Sequence, residues 1–129
     1  MRIILLLLLS VTVMKGYAQT NLTFRPTNKK MENITIEKLG GDSLSTAFHI
    51  QIVDEVQKHY HAFHSEHVYI IEGEGWFYLG QDSSLVRQGD YLFIPKGEHH
   101  AVKVTSKGPM RALSVQSPEF LGNDRVKVP

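Results

Sequence analysis

Four side chains of the kinds that bind metals lie at short, regular spacings in the middle of the chain. His59 and His61 are two residues apart, so on an extended strand both rings point to the same face. Glu66 follows after a four-residue gap, and His100 begins a later strand after a turn at 95–97. Imidazole nitrogens and carboxylate oxygens together suit Zn, Mn, Fe, Co, Ni or Cu. If the two hairpins that carry these residues face each other inside a barrel, the four form a site for one divalent transition metal.

Other polar side chains are weaker candidates for the surroundings of the metal or for a cavity wall: His64, Gln116, Tyr69 and Tyr91. His64 lies in the turn between proposed ligands, and we expect a surface position there in preference to a role as a proton shuttle. Gln116 can reach the cavity from the last strand, and Tyr69 and Tyr91 can line it, but ordinary barrel packing or a surface position is the simpler expectation for all three. His67 and His99 are each adjacent to a proposed ligand on a strand, so both should point outward.

The elements that position these residues are short strands. From Ile34 onward apolar residues alternate with a period of two, as in Phe48, Ile50 and Ile52, and turn residues interrupt the pattern at short intervals. No stretch of a dozen residues has the apolar spacing of a long helix. Eight or nine strands of this kind predict a single all-β domain, either a sandwich or a barrel.

Two motifs in this region resemble those of the cupin family. The first is His-x-His, four residues, Glu, six residues and Gly, and the second is Gly, five residues, Pro-x-Gly, two residues and His. The matching positions are His59, His61, Glu66 and Gly73, then Gly89, Pro95, Gly97 and His100. The resemblance spans about 48–116 and implies a double-stranded β-helix, or jelly-roll, barrel with the metal inside. Val53 and Val104 stand where the family has Gly and Asn, and the missing Asn removes a polar contact beside the metal.

The resemblance also implies the range of functions. Cupins of this kind include dioxygenases, isomerases, decarboxylases and lyases of small carbonyl compounds or sugar acids. We therefore expect an exported metal-binding protein that is either an enzyme acting on a small organic or sugar-derived molecule or a non-catalytic module for a small ligand or carbohydrate. A structural protein with a vestigial site fits the intact ligand set least well. An acid–base group within about 3 Å of a metal-bound ligand would separate enzyme from module, and the sequence does not place one.

Composition excludes several other classes. The 129 residues are 42% hydrophobic and 21% charged, as in one globular domain. Lys plus Arg number 14 against 13 for Asp plus Glu, so there is no basic excess for nucleic acid. Cysteine is absent, which excludes disulfides and thiolate ligands. Small cupins often pair through an outer sheet, and either Trp76 or its neighbour Phe77 must face outward, so we expect a homodimer.

The N-terminus has the features of a signal peptide. Arg2 precedes an apolar run from Ile3 to Met14, shorter than the roughly 20 residues of a membrane span. Small residues favour a cut after Ala18 or after Gln19, which predicts a periplasmic or secreted protein with no stable membrane anchor after cleavage. An uncleaved anchor is the alternative. The chain then divides into a signal peptide over 1–18, a flexible N-terminal arm over 19–33, the barrel over 34–116, and a C-terminal extension over 117–129 that packs on the barrel.

Overall fold

The computed structural model describes residues 19–24 and 32–129, so the predicted signal peptide and part of the arm lie outside the described residues. Within those two ranges every regular element is a strand. No helix in these ranges is long and apolar enough to cross a membrane. The strands are β1 (Ile34–Asp42), β2 (Ser45–Ile52), β3 (Glu55–Tyr60), β4 (Ser65–Glu72), β5 (Glu74–Leu79), β6 (Asp82–Arg87), β7 (Tyr91–Ile94), β8 (His100–Val104), β9 (Met110–Ser117) and β10 (Val126–Lys127).

The strands form two five-stranded antiparallel sheets. The first sheet has the order β1-β2-β9-β4-β7, and the second has the order β10-β3-β8-β5-β6. This arrangement confirms the predicted all-β jelly roll. Two details of the strand pattern differ from expectation. β1 continues through Gly40 and Gly41 with an irregularity after Lys38, although a pair of glycines commonly marks a turn. β10 in the C-terminal extension was not predicted as a strand.

The core lies between the sheets and follows the predicted alternation. Ile70, Ile94 and Met110 are its most buried side chains, each no more than 2% exposed. Val102 belongs to the same cluster and Val104 packs against it, so this wall of β8 is apolar as expected. Burial of such side chains stabilises each strand by about 1.5–3 kcal/mol per residue and holds the sheets at a fixed separation.

The connections within the two motifs cross from one sheet to the other and are not hairpins. β3 lies between β10 and β8 in the second sheet, whereas β4 lies between β9 and β7 in the first. The prediction that His59, His61 and Glu66 come from a single hairpin is therefore wrong. The connecting residues 61–64 contain no Asn-Gly or similar pair of the kind that closes a tight hairpin. They carry the chain across the barrel, and 95–99 do the same between β7 and β8.

Candidate metal centre

Three of the four proposed ligands come together from the second sheet. His59 on β3 pairs in register with His100 on β8, and His61 follows the end of β3. One ring nitrogen from each of the three lies within 4.8 Å of the other two, and the rings are 4–5% exposed. His100 is thus beside His59 in one sheet, and the expectation that it reaches the site from across the barrel is wrong. Glu66 is the residue that comes from the opposite sheet.

Each of these three rings is held through the same nitrogen. His59 Nδ1 lies 2.9 Å from the carbonyl of Gln57, and His100 Nδ1 lies 3.0 Å from the carbonyl of Glu98. His61 Nδ1 donates to the carbonyl of Asp124. A carbonyl oxygen only accepts hydrogen bonds, so Nδ1 must carry the proton in all three rings. The lone pair is then on Nε2, as in metal-binding histidines whose other nitrogen is fixed by a backbone carbonyl.

The Glu66 carboxylate completes the cluster from β4. Its Oε1 accepts a hydrogen bond from the fully buried hydroxyl of Ser114. Its Oε2 lies 3.5 Å from His61 Nε2 and 3.4 Å from His100 Nε2. Two ligands with bonds of about 2.1 Å at a tetrahedral angle are separated by about 3.4 Å, so these distances fit adjacent ligands of one ion. Ser114 was missed by the sequence analysis, although it shares the inward parity of Gln116 on the same strand.

The protonation states of His59 and Glu66 favour metal binding. Burial, with the nearby His100 ring as the next cause, lowers the pKa of His59 to about 3. Burial would raise the pKa of Glu66, but the His100 and His61 rings and the Ser114 hydroxyl outweigh it and hold that pKa well below its usual range. Burial likewise would lower the pKa of His61, but Glu66 and the Asp124 carbonyl outweigh it and raise that pKa. His59 and Glu66 are therefore in their ligating forms at neutral pH.

These residues fit a divalent transition metal. His100 Nε2 is buried and makes no hydrogen bond within the described part of the chain, and Glu66 Oε2 lies 3.4 Å from it. A buried acceptor without a donor costs about 1–3 kcal/mol, which a bound cation removes. Three imidazoles with one carboxylate form the donor set that Zn, Mn, Fe, Co, Ni and Cu accept.

Asp124 of the C-terminal extension holds the loop of the first motif through several hydrogen bonds. Asp124 is 2% exposed, and its carboxylate accepts hydrogen bonds from the backbone N–H groups of Ala62 and Phe63 at 2.8 Å and of His64 at 3.1 Å. Burial would raise the pKa of Asp124, but His64 and these amides outweigh it and lower the pKa. With its carbonyl on His61, Asp124 fixes both the loop and one proposed ligand.

His64 is buried and not on the surface, so that expectation is wrong. Its exposure is 5%, its Nδ1 binds the Asp124 carboxylate, and its Nε2 lies 2.9 Å from the carbonyl of Glu119. Sequence reasoning placed the turn in solvent because the partner residues lie about 60 positions later in the chain. His64 joins the extension to the loop and is absent from the residues that line the cavity.

The turn of the second motif is tied to the first. Gly97 donates its N–H to the carbonyl of His61 at 2.7 Å and has a φ of +83°. An L side chain rarely adopts this φ, which explains why glycine stands there. The turn after Pro95 therefore positions His100 and holds His61 in place at the same time.

A cavity of about 130 Å³ opens onto the histidine cluster and extends between the sheets. Gln116 lies in its wall, in register with Glu66, and its buried Oε1 has no hydrogen-bond partner among the described residues. Tyr69 and Tyr91 do not line the cavity, because they are 46% and 59% exposed on the outside of the first sheet. The remaining wall is largely apolar: Ile34, Ile36, Phe48, Ile50, Ile52, Val56, Val68, Ile70, Phe77, Val86, Leu92, Ile94, Ala101, Val102, Met110, Ala112 and Phe120.

The two histidines expected to point away do so. His67 is exposed and lies 2.6 Å through Nδ1 from the Tyr91 hydroxyl on the outside of the first sheet. His99 stacks on Tyr60, with ring centroids 5.1 Å apart, away from the cluster. Neither ring contributes to the group of convergent nitrogens.

Several known proteins resemble the chain over most of its length. An uncharacterised protein of Aquifex aeolicus is 33% identical over 98 residues, which are 76% of this chain and 80% of that protein. Streptomyces PAC13 with uridine, a nucleoside dehydratase, has a TM-score of 0.69 at 20% identity and covers 88% of this chain and 92% of its own. KdgF from Halomonas sp. has a TM-score of 0.64 at 15% identity over 72% of this chain and 87% of its own.

These structures share the fold at low identity, and the family follows from the sequence itself. The cupin domain profile matches residues 48–116, more than half of the chain. That range begins in β2 and ends in β9, so it includes both motifs and all four residues of the candidate metal centre. The chain therefore belongs to the cupin family.

Proposed function

We propose that the chain is an exported, metal-dependent enzyme that acts on a small organic or sugar-derived molecule. The observation that carries this proposal is the common orientation of three buried imidazoles, each of which donates Nδ1–H to a backbone carbonyl. Their Nε2 atoms converge, with the ionised Glu66 beside them. Among dioxygenase, isomerase and lyase chemistry, we favour a lyase, supported by the dehydratase named among the structural relatives.

The residues around the centre have distinct tasks. A divalent metal bound there supplies a Lewis acid for a substrate oxygen. Ser114 fixes one carboxylate oxygen of Glu66 and leaves the other facing the histidines. Gln116 presents an amide to the same space. The apolar wall excludes water, which strengthens each electrostatic interaction with the substrate.

A non-catalytic ligand-binding module is the second candidate. Apart from the four residues of the centre and Arg125, no described residue of the cavity wall is titratable. An acid or base for proton transfer must then be Glu66 itself or come from the ligand. One experiment separates the two candidates. Metal-loaded protein is incubated with small carbonyl, hydroxy-acid and nucleoside compounds, and proton NMR monitors whether products form. New product signals support the enzyme, whereas line broadening of a compound without product supports the module.

The metal centre itself is tested with two adjacent histidines. His100→Ala removes a buried ligand, so we expect metal occupancy after dialysis to fall at least tenfold. His99→Ala removes a ring that stacks on Tyr60 outside the cluster and should leave occupancy unchanged. Elemental analysis of both variants, with Zn, Mn, Ni, Co or Fe supplied separately, measures the difference. Full occupancy in His100→Ala combined with loss in His99→Ala contradicts the assigned register.

Export and dimerisation are further parts of the proposal. Export is supported by the sequence of 1–18 and predicts a mature N-terminus at Gln19 or Thr20, and Met1 at the N-terminus of exported protein contradicts cleavage. A homodimer is supported by Trp76, which is 43% exposed while its neighbour Phe77 is 7% exposed. Light scattering at tens of micromolar should give twice the mass of the mature chain, and a monomer mass contradicts the dimer.

A further inference from the structure

Arg125 is held at the mouth of the cavity from both sides. Its preceding residue, Asp124, is buried under the first motif loop. The following residues form β10, in which Val126 pairs with Tyr60 and Lys127 pairs with His59. The backbone at Arg125 is therefore fixed against the strand that carries the metal-binding histidines, and its side chain belongs to the cavity lining.

The positive charge of Arg125 does not stabilise the fold through a contact with another described residue. Within residues 19–24 and 32–129 its guanidinium makes no hydrogen bond or ion pair, and Arg125 and Glu66 are the only residues of the described cavity wall with a permanent charge. Arg125 is exposed to solvent and also lines the cavity that His59, His61 and His100 line, so its charge faces the same space.

The charges in the cavity favour an anion. Three neutral imidazoles, the Glu66 carboxylate and a divalent ion together have a charge of about +1. Arg125 brings the sum to about +2 at one end of a cavity whose remaining wall is almost entirely apolar. Low-dielectric walls concentrate such a field and draw in negative ligands. The apolar wall in turn favours a ligand with a hydrocarbon body.

We propose that Arg125 is a specificity-determining residue that binds the carboxylate of a small ligand whose apolar part lies along the cavity wall. A guanidinium matches a carboxylate with two parallel hydrogen bonds. The described lining has no second cation and no hydroxyl group for the further oxygen of a phosphate ester, which favours a carboxylate. The buried and unpartnered Oε1 of Gln116 offers an acceptor for a donor group of the same ligand. This inference rests on the proposed function, because it assigns the ligand class of that same site.

The test compares a carboxylate with its neutral amide in matched variants. Hexanoate, hexanamide and hexyl phosphate are titrated calorimetrically into the mature chain, both zinc-loaded and metal-free. We expect hexanoate to bind the wild type at least tenfold more tightly than the other two probes. Arg125→Gln should lose about tenfold or more for hexanoate and retain its affinity for hexanamide. Lys127→Gln, which removes an exposed cation two residues away on β10, should bind as the wild type does.

Zinc content and the thermal midpoint are measured for every variant before titration. Equal zinc content and midpoints in wild type and Arg125→Gln show that only ligand recognition has changed. Absence of zinc in all variants contradicts the proposed metal centre, and the metal-free titrations then still decide the role of Arg125. Unchanged hexanoate affinity in Arg125→Gln, equal losses in Arg125→Gln and Lys127→Gln, tighter binding of hexyl phosphate, or no binding of hexanoate by the wild type each overturns the inference.

Discussion

Replacement of Asp124 by alanine should destabilise the fold and the metal centre together. The carboxylate accepts hydrogen bonds from three backbone amides and from the ring of His64, at a position that is 2% exposed. Removal of a buried charge of this kind, with its partners left unpaired, costs about 3–5 kcal/mol. Small domains have a total stability of about 5–15 kcal/mol, so the variant should remain folded in buffer but with a much reduced margin.

Urea denaturation of the metal-free protein measures this loss. With a slope of about 2 kcal/mol per molar urea, the midpoint should fall by about 2 M. The pKa of Asp124 is lowered, so its contribution is fully present above the ordinary value of 3.8 and is lost as the pH falls through the folded-state pKa. Measurements at pH 7 therefore report its full effect. Zinc affinity should fall by about 10–100-fold, because the loop that orients His61 loses its support.

Asp42→Ala is the matched control. Asp42 also accepts hydrogen bonds from two backbone amides, those of Leu44 and Ser45, but it is exposed and lies outside the cavity lining. Water replaces such bonds, so the loss should be about 1 kcal/mol or less. Asp124→Asn keeps one acceptor oxygen and should recover less than half of the stability that Asp124→Ala loses. It replaces the alanine variant in the measurement if that variant does not fold. A loss below about 1 kcal/mol in Asp124→Ala, or one equal to that of Asp42→Ala, refutes the assignment of Asp124 as the support of the loop.

Two further predictions concern the ligands. Metal binding between pH 5 and 7 should release fewer than three protons, because the pKa of His59 is already about 3 while that of His61 is raised. Calorimetry in buffers of different ionisation enthalpy measures the number of protons released, and a value of three contradicts these pKa directions. Ser114→Ala should lower zinc affinity about tenfold by releasing Glu66. Ser84→Ala, at an exposed position of β6 outside the cavity lining, should not, and equal affinities in the two variants count against the role of Ser114.

Local patterns predicted the fold and which three histidines lie together. The two-residue alternation of β2 predicts that Phe48 and Ile52 point inward, and both are buried. The same alternation predicts that His100 points inward and that its neighbour His99 points outward. These inferences work because the period of a strand is local and a one-residue shift would expose every inward side chain. Gln116 differs from the expectation of packing or surface, because it lies in the cavity wall in register with Glu66.

What the sequence could not give is the pairing of distant segments. The crossing of 61–64 between sheets depends on which strands become neighbours, and this is set by the whole barrel. His64 was expected on the surface because its partners, Asp124 and Glu119, lie in an extension with no apolar period of its own. Ser114 had no motif around it. Each of these residues is defined by a hydrogen bond across 48 or more positions, beyond any pattern visible in a window of neighbours.

Two adjacent residues of the C-terminal extension have different tasks: one holds the loop that carries His61, and the other lines the cavity. Asp124 points under the motif loop and supports His61, while Arg125 lies in the cavity lining. If the proposed carboxylate binds at Arg125, the residue that binds it is adjacent to the residue that holds His61 in place. Both residues lie outside the matched family range, whereas the four proposed metal ligands all lie within it.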